Sequence, residues 1–570
     1  MKKNILPIIL TFGVSGAAFG QSAIDGYRLS QPDLKGTARY MGMAGAFGAL
    51  GGDLSAITQN PGGIGIYRSG DVGFTLDLDC QSSSSESQGF KYDMSQTKFL
   101  LNNIGAVLTL RLPSQSCPNL NFGFTYNKNV SFNRKYGGSI PRLSNSMTNY
   151  IAGITNAEQI TESELATSSG YDPYNPSGSQ YAPPWLSILG YDSYFITPEE
   201  NKGITDWYGQ WGDDTQGSGT FLVQESGSLN EYNIVLGGNI SNVVYWGMNF
   251  DIINLDYSLY SVWGENLYNA YIPDNNNNFV RETSDWNMTN IYNVTGTGFN
   301  YQLGVIVKPI QELRLGFAFH TPTWYNLTES FGANTQFSYG GGKTQYAETN
   351  NGILGYNDVN FRTPWKIIAS AAGVIGSNFI ISLDYEWVAY NKMKYSLPSS
   401  YGGYDYGWGW DDPWYDWGYM SASTKASGMN NSILESSDPY YATNSDIATY
   451  YKSSNTIRIG AEYRINSSFS VRAGYSNVSS PVKSEVKNDG VDIYTSGTLP
   501  NYRFDNSTNY ITCGAGWRYK HFYADVAYVY KHMSSTFHAY TPDVASSIPS
   551  PQSKLSLTNN QIVFSAGFRF

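Results

Sequence analysis

Few side chains in this 570-residue chain are spaced for catalysis. The four histidines, His320, His521, His532 and His538, have no Ser or Cys at a spacing known for nucleophilic catalysis. A hydrolase would also need an acidic residue to orient a Ser–His pair. Haem coordination favours His or Tyr, and Tyr is plentiful, but no pair of histidines falls in the long connections. We therefore predict no enzyme activity and no cofactor, and keep haem binding as an alternative.

The three cysteines do not indicate a disulfide framework or a metal site. Cys80, Cys117 and Cys513 are odd in number and lie far apart. A group of aspartates between residues 401 and 420 invites a Ca²⁺ site, but its spacing matches no EF-hand loop. These aspartates are Asp405, Asp411, Asp412 and Asp416. The sequence predicts no metal.

Several charged residues alternate with apolar residues, so they share one face of extended segments. They are Arg314, Asp384, Glu386, Arg458, Glu462, Arg464, Arg472, Arg518 and Asp525. An arginine in this set could grip a ligand carboxylate with two hydrogen bonds. The competing interpretation is that most of these charges pair with one another and with the segment that fills the space between them.

The segment 401–420 is rich in aromatic residues. Its tryptophans are Trp408, Trp410, Trp414 and Trp417. They could form an extracellular apolar platform that captures a ligand or stacks on carbohydrate. They could equally pack on one another or on the membrane interface, and the sequence leaves both alternatives open.

The composition is typical of a membrane β-barrel. Aromatic residues make up 15% of the chain and charged residues only 14%, against roughly 25% charged in ordinary soluble domains. Abundant Tyr and Gly fit aromatic girdles and a polar lumen, although a soluble β-propeller would share some of these features. The net charge of −11 argues against nucleic-acid binding.

The amino terminus reads as a signal peptide. Lys2 and Lys3 precede an apolar run over 5–14, and Ala18-Phe19-Gly20 offers a cleavage site with small flanking residues. This run is too short to span a bilayer as a helix. We expect residues 1–20 to be removed and the mature protein to be exported to the outer membrane of a Gram-negative cell.

Period-two alternation predicts about fourteen strands from residue 71 onward. They cover 72–80, 102–112, 120–128, 232–240, 243–260, a segment ending at 308, 313–325, 361–375, 379–395, 456–465, 469–478, 509–519, 522–531 and 560–570. Apolar faces such as that of Ile457, Ile459 and Ile465 are expected to contact lipid, with the charged faces inward, because a charge on the lipid face costs roughly 2–4 kcal/mol.

The connections between these strands are alternately short and long. Short turns lie near 241–242, 309–312, 376–377, 466–468 and 520–521. Long connections cover 81–101, 129–231, 261–287, 326–360, 396–455, 479–507 and 533–557, of which 129–231 and 396–455 are the largest. Outer-membrane barrels have short periplasmic turns and long extracellular loops. The sequence therefore predicts an all-β, transmembrane antiparallel barrel with both ends of the chain in the periplasm.

The segment 36–66 precedes the strands and differs from them. It is rich in Gly and Ala and nearly uncharged in its middle, which suits a backbone threaded through a confined space. Asn60-Pro61 predicts a rigid bend at its end. It lacks the Gly-Lys-Ser/Thr of a phosphate loop. We predict that residues 21–70, called the hatch below, plug the barrel of residues 71–570. Its gate residues are Gly51, Gly52, Asp53, Asn60, Pro61, Gly62 and Gly63.

The chain resembles the FadL/TodX family of outer-membrane transporters for hydrophobic compounds. The stretch from Gly51 to Gly63 looks like the family's hatch with its Asn-Pro-Ala motif, although Gly62 stands where Ala is usual. The runs 301–322, 457–482 and 510–530 look like family hairpins. The resemblance covers nearly the whole mature chain.

This resemblance implies a fourteen-stranded barrel, plugged by the hatch, that passively takes up hydrophobic molecules of the fatty acid or aromatic class. We expect the protein to be a monomer. In the family, extracellular loops catch the ligand, which then leaves sideways through a gap in the barrel wall. The expected partners are a hydrophobic small molecule and membrane lipid. The alternative is a surface-exposed adhesion or haem-binding protein whose barrel only displays loops. The two largest connections are longer than the resemblance predicts.

Overall fold

The computed structural model describes residues 22–176, 182–201, 204–273, 279–376, 378–398, 439–495, 497–543 and 548–570. Its strands, in chain order, are β1 Asp71–Ser87, β2 Phe90–Arg111, β3 Asn119–Ser131, β4 Arg134–Ile140, β5 Thr197–Asn201, β6 Ile204–Tyr208, β7 Gln216–Ile240, β8 Val244–Pro273, β9 Phe279–Val307, β10 Leu313–His320, β11 Trp324–Tyr339, β12 Gln345–Glu348, β13 Gly355–Arg362, β14 Lys366–Ile375, β15 Phe379–Val388, β16 Lys394–Ser396, β17 Ser454–Arg464, β18 Phe469–Val478, β19 Tyr502–Tyr519, β20 Phe522–His538 and β21 Gln552–Arg569.

Short helices supplement the strands. The α-helices are Ala23–Ser30, Ala38–Met41, Met147–Ala157, Glu162–Leu165, Trp185–Asp192, Tyr441–Tyr450 and Ser484–Lys487. The 3₁₀ helices are Ala56–Thr58, Pro61–Ile66, Thr349–Gly352 and Tyr390–Lys392. Within the described residues, no helix has both the length and the hydropathy required to cross a bilayer.

The strands close into one antiparallel barrel of fourteen, as the sequence predicts. Around the wall the order is β1, β2, β3, β7, β8, β9, β10, β14, β15, β17, β18, β19, β20 and β21. The last strand returns to the first, in register from Asp71↔Arg569 to Glu86↔Lys554. Each wall strand is therefore paired with a neighbour on both sides over at least part of its length, and the wall has no free edge strand.

Apolar side chains form a belt on the outside of this barrel. Leu383, Ile459 and Phe564 are 49%, 44% and 45% exposed, whereas the inward neighbours Asp384 and Ser565 are almost completely buried. An apolar exterior around a polar interior is the inverse of a soluble protein and is typical of a barrel in lipid. The direction of the strand faces therefore agrees with the sequence prediction.

Many residues predicted to form long loops instead extend the strands. β1 and β2 continue to a two-residue turn at Gln88-Gly89, and β8 and β9 extend as far as Pro273 and Phe279. Both turn residues have positive φ, of 50° and 88°, which suits a tight hairpin. These extensions rise above the apolar belt, where both faces contact protein or water. They therefore lack the lipid-facing alternation on which the prediction relied.

Two strands predicted to be continuous are interrupted. The predicted strand 313–325 breaks between β10 and β11 at Thr321–Thr323, and 361–375 breaks between β13 and β14 at Thr363–Trp365. Each break contains a proline, Pro322 or Pro364, which has no N–H to donate to the next strand. The predicted strand 379–395 also ends early, at Val388.

The predicted loop 129–231 folds as an extracellular layer. It holds β4, three helices and the β5–β6 hairpin, which forms its own two-stranded sheet. One of its helices is the short segment Glu162–Leu165. Thr161 and Glu164 form a capping box at its start, in which the backbone N–H of Thr161 donates to Glu164 Oε2 at 2.8 Å. The Thr161 Oγ1 donates to the same oxygen at 2.7 Å.

Candidate functional site

The hatch lies inside the barrel and fills it. Side chains of its middle part are fully buried, including those of Met41, Met43, Ala44 and Phe47. Glycines and alanines alternate with these larger residues, so the hatch backbone itself comes close to the wall, as Met43 and Gly48 do.

The carboxamide of Asn60 joins three segments of the chain. Its Oδ1 accepts the N–H of Gly62 at 3.0 Å and so caps the 3₁₀ helix Pro61–Ile66. Its Nδ2 donates to Gly48 O at 2.6 Å and to Val305 O of β9 at 3.3 Å. Asn60 has the extended backbone expected before proline, with φ −141° and ψ 101°. The end of the hatch is thereby fixed both to its own middle and to the wall.

The other predicted gate residues form a compact turn beside Asn60. Gly51 and Gly52 have φ of 58° and 66°, and the N–H of Gly52 donates to Gly63 O at 3.2 Å. A β-carbon on Gly51 would lie only 2.6 Å from the Gly63 Cα, so glycine is needed here for both conformation and space. Asp53 accepts hydrogen bonds from Thr37 Oγ1 at 2.8 Å and from Ser55 N at 2.9 Å.

A girdle of inward-facing glycines on the wall receives the hatch. At each of them an added β-carbon would overlap hatch atoms or lie against them. The glycine girdle consists of Gly237, Gly247, Gly304, Gly316, Gly460 and Gly474. The hatch is therefore seated by backbone-to-backbone contact on wall strands from β7 to β18.

Buried ion pairs also join the hatch to the wall. Lys35 Nζ lies 2.7 Å from Asp77 Oδ2 and 3.1 Å from Asp79 Oδ2, both on β1, and donates to Gln561 Oε1 at 2.9 Å. Its side chain is 1% exposed. Since a buried charge without a partner is costly, these contacts hold the entry of the hatch against β1 and β21.

Asp33 forms a second such contact, with Lys531 Nζ at 2.9 Å and the Tyr510 hydroxyl at 3.0 Å. Burial on its own would raise the pKa of this carboxyl. The nearby ammonium groups of Lys531 and Lys35 outweigh burial, with help from hydrogen bonds, and lower the pKa of Asp33 to about 2. Asp33 is therefore a carboxylate throughout the physiological pH range.

The predicted lumen charges point inward and divide into three groups. Arg458 pairs with Glu386 at 3.1 Å, and Asp384 accepts Gly48 N and Gln59 Nε2 of the hatch at 2.9 and 2.8 Å. Lower down, Arg472 bridges Glu462 and Asp525, at 2.8 and 2.5 Å. The rest lie at the short-turn end of the barrel, and they are Arg314, Arg464 and Arg518.

Glu462 also receives Arg39 of the hatch at 3.0 Å, and Arg314 Nη1 donates to Leu50 O at 2.9 Å. The pairing of lumen charges with one another and with the hatch is therefore extensive. The sequence did not indicate Lys35, Asp33 or Arg39 as the hatch partners, since their own segment shows no alternation that would assign them a face.

A cavity of about 190 Å³ lies beside the upper part of the hatch. Its lining combines apolar side chains, such as Leu229, Ile253 and Val388, with polar ones. Lys366 is part of that lining, and its ammonium makes no ion pair or hydrogen bond within the part of the chain that the structure describes. The cavity also touches the proline-containing break at Thr363-Pro364.

Between β2 and β3 the wall leaves a gap in its hydrogen bonding. β2 pairs with β3 only from Asn103↔Asn127 to Arg111↔Asn119, whereas β2 itself begins at Phe90. Beyond this point β3 contains a bulge at Asn129 and bends toward β7. Lys98 belongs to the lumen side of β2, opposite the buried Asp79, yet it is exposed. We call this unpaired stretch the β2–β3 seam.

The extracellular half of the barrel is filled by a large aromatic core. The helix Ala23–Ser30 inserts Ile24 and Tyr27 into it, and Tyr27 contacts Tyr390 and Tyr451 with ring centroids 5.5 and 5.0 Å apart. This helix is not among the elements predicted from the sequence. Its signal was the capping box Ser22-x-x-Asp25, in which Ser22 Oγ donates to Asp25 Oδ2 at 2.8 Å.

The aromatic platform predicted from Trp408, Trp410, Trp414 and Trp417 lies outside the described residues, as do the four neighbouring aspartates. Residues 1–20, the predicted signal peptide, also lie outside them. In the described ranges there is no group of three or more His, Cys, Asp or Glu side chains that could hold a metal ion.

No protein-family model and no curated protein matches this sequence. Among solved structures, a FadL homologue of Pseudomonas aeruginosa matches 95% of this chain and 99% of its own, with 11% identity and a TM-score of 0.49. The toluene transporter TodX of Pseudomonas putida matches 94% and 99%, with 12% identity and a TM-score of 0.46. A third match is the monoaromatic hydrocarbon channel CymD, with 94% and 97% covered, 10% identity and a TM-score of 0.42.

Proposed function

We propose that this protein is an outer-membrane channel for passive uptake of hydrophobic small molecules, and that the hatch gates it. The observation that carries the proposal is the seating of the hatch on the glycine girdle. A plug held in the lumen by backbone contacts and a few ion pairs closes a barrel that would otherwise be an open pore. The apolar belt supports a location in a membrane, and a barrel of this kind belongs in the outer membrane.

The ligand is a fatty acid or an aromatic compound, and it leaves through the wall. The mixed lining of the 190 Å³ cavity suits a molecule with an apolar body, which Leu229, Ile253 and Val388 contact. Asn129 and Val130, at the bulge of the β2–β3 seam, also line the cavity. The seam begins at the height of Ile104, inside the apolar belt. Exit there delivers a hydrophobic molecule directly into lipid and avoids water.

Uptake into proteoliposomes tests this function. Protein reconstituted with labelled oleate, labelled toluene or labelled glucose is expected to accelerate entry of at least one hydrophobic compound over protein-free vesicles, and not that of glucose. The proposal is contradicted if the protein accelerates the entry of none of the three compounds over protein-free vesicles. A glucose rate raised as much as the others indicates a general pore instead.

A second function is favoured by the packing of the extracellular half. The aromatic core around Tyr27 and Tyr451 occupies the space through which a ligand would have to pass. A barrel filled in this way could serve as a stable support that displays surface loops for adhesion or haem binding. In that case the tryptophans of 401–420 would bind the partner.

Replacement of residues 399–438 by a short Gly-Ser linker separates the two functions. If the barrel only displays loops, the replacement abolishes binding to cells or haem, and the uptake rates of oleate and toluene equal those of protein-free vesicles before and after it. If the protein is a channel, uptake persists in the full chain and depends on the hatch.

A further inference from the structure

The short-turn end of the barrel is strongly basic, although the whole chain carries a net charge of −11. Within the short connections and the two residues on either side of each, the acidic residues are only Asp71 and Glu312. The basic residues in the same positions are Arg68, Arg111, Lys308, Arg314, Arg464, Arg518, Lys520 and Arg569. Positive charge is therefore concentrated at the periplasmic mouth that the prediction assigns to this end.

Part of this charge surrounds a pocket under the hatch. The pocket has about 60 Å³ of free volume and lies between the hatch and strands β17 to β21. Arg464, Arg518 and Arg569 line it, together with Asn466 and Ser470. A volume of this size holds several water molecules or one small oxyanion, since a single water requires about 10–15 Å³ measured in the same way.

The carboxylates around the pocket are already engaged. Glu462 lies within 3.5 Å of Arg39, Arg464 and Arg472, and Asp525 lies 2.5 Å from Arg472. Asp71 lies 3.2 Å from Arg569 and accepts the Tyr523 hydroxyl at 3.0 Å. Asp53 is held by Thr37 and Ser55. The lining thus carries more guanidinium groups than carboxylates.

None of these carboxylates forms an ion pair with Arg518. In the part of the chain that the structure describes, its side chain makes no hydrogen bond or ion pair. Its neighbours Trp517 and Tyr519 face outward, at 42% and 54% exposure, so Arg518 itself faces the lumen and not the lipid. Arg464 is similar, because its single ion pair, to Glu462, is 3.5 Å long and its side chain is 50% exposed.

We propose that this pocket binds an oxyanion, a phosphate or carboxylate group, between Arg518 and Arg464. Each guanidinium presents paired N–H donors that match two oxygens of such a group. The Asn466 and Ser470 side chains supply further polar contacts at the rim. The source is either a free anion of the periplasm or the headgroup of an anionic lipid. The site is independent of the transported compound, because it lies on the opposite side of the hatch from the 190 Å³ cavity.

Calorimetric titration of the detergent-solubilised full chain with inorganic phosphate tests the site. The variant Arg518→Gln is expected to weaken phosphate binding by about tenfold, since it removes charge-assisted hydrogen bonds. The control Arg68→Gln removes the same charge from the same end of the barrel, but Arg68 contacts Asn242 and does not line the pocket. It is expected to change the affinity by less than twofold.

A second variant, Arg464→Gln, tests the same pocket independently in case the Arg518→Gln protein does not fold. It is expected to weaken binding to a similar extent, and Arg518→Lys is expected to restore only part of the affinity because lysine lacks the planar fork. Titration in nanodiscs with anionic lipid identifies the source: competition with phosphate indicates a headgroup, and its absence a free anion. No detectable binding by the wild type, or equal losses in Arg518→Gln and Arg68→Gln, overturns the proposal.

Discussion

Gly304 of β9 lies against the carboxamide of Asn60, with no room between them for a side chain. A β-carbon on Gly304 would overlap Asn60 Oδ1 and approach Gly62 N to 2.7 Å. The same carboxamide holds Gly48 O and Val305 O. The end of the hatch therefore fits the wall only while residue 304 has no side chain.

Replacement of Gly304 by alanine is expected to displace the hatch. An extra methyl group in a tightly packed site costs about 1–3 kcal/mol. Here it would destabilise the contact between the hatch and the wall. The closed state is destabilised relative to states with the hatch displaced. Planar-bilayer recordings are expected to show frequent openings that the unmodified protein lacks.

Gly373→Ala is the matched control for this substitution. A β-carbon at Gly373 would meet only Ile381 Cγ2, at the ordinary contact distance of 3.4 Å. Its recordings should equal those of the unmodified protein. Recordings of Gly304→Ala without additional openings would show that the glycine girdle does not hold the hatch in place.

Removal of the Lys35 ammonium is expected to loosen the entry of the hatch. Lys35→Met leaves Asp77 and Asp79 buried without their cation, which costs on the order of 3–5 kcal/mol. The expected result is a lower unfolding temperature by calorimetry and faster proteolysis within residues 22–70. Lys91→Met is the control, because Lys91 is 66% exposed and its pair with Glu86 is 3.7 Å long. Equal stability of both variants would mean that the Lys35 pairs do not hold the hatch.

The contact between Asp33 and Lys531 predicts how the hatch responds to acid. The pKa of Asp33 is lowered from 3.8 to about 2 in the folded protein. Its contribution to stability is therefore complete above about pH 4 and is lost as the pH falls through about 2. Asp33→Asn should lower the unfolding temperature at pH 6 and reduce the further loss between pH 4 and 2. An identical pH profile in both proteins would contradict this role.

A bulky side chain in the 190 Å³ cavity is expected to block uptake. Val388 is 7% exposed and lines that cavity, so Val388→Trp fills space that the ligand needs. Leu383→Trp, on the lipid face of the same strand β15, is the control. Oleate or toluene uptake should fall to background only in the first variant. Unimpaired uptake in a correctly folded Val388→Trp protein would exclude the cavity from the pathway.

The membrane-level fold could be predicted because lipid imposes a simple rule on it. Ile459 and Leu383 must face outward and Glu462 and Asp384 inward, and this alternation is visible in the sequence. Above the apolar belt that rule ends. The extension of β1 to Ser87 and the helix Ala23–Ser30 depend on long-range packing, which leaves weaker local signals.

The candidate site was predictable only in part for a related reason. Asn60, Gly51 and Asp53 could be selected because turns and caps require particular residue types. The partners of the hatch could not, since the contact of Lys35 with Asp77 joins segments whose register only the closed barrel determines. The glycine girdle likewise emerges only when Gly304, Gly316 and Gly474 are brought to one level.

Conductance after removal of the hatch tests whether the hatch is what closes the barrel. A protein lacking residues 22–66, refolded and inserted in planar bilayers, is compared with the full chain under the same salt and voltage. We expect large, stable conductance from the shortened protein and none from the full chain. Equal conductance from the two proteins, with the barrel of the shortened one verified by circular dichroism, would contradict it.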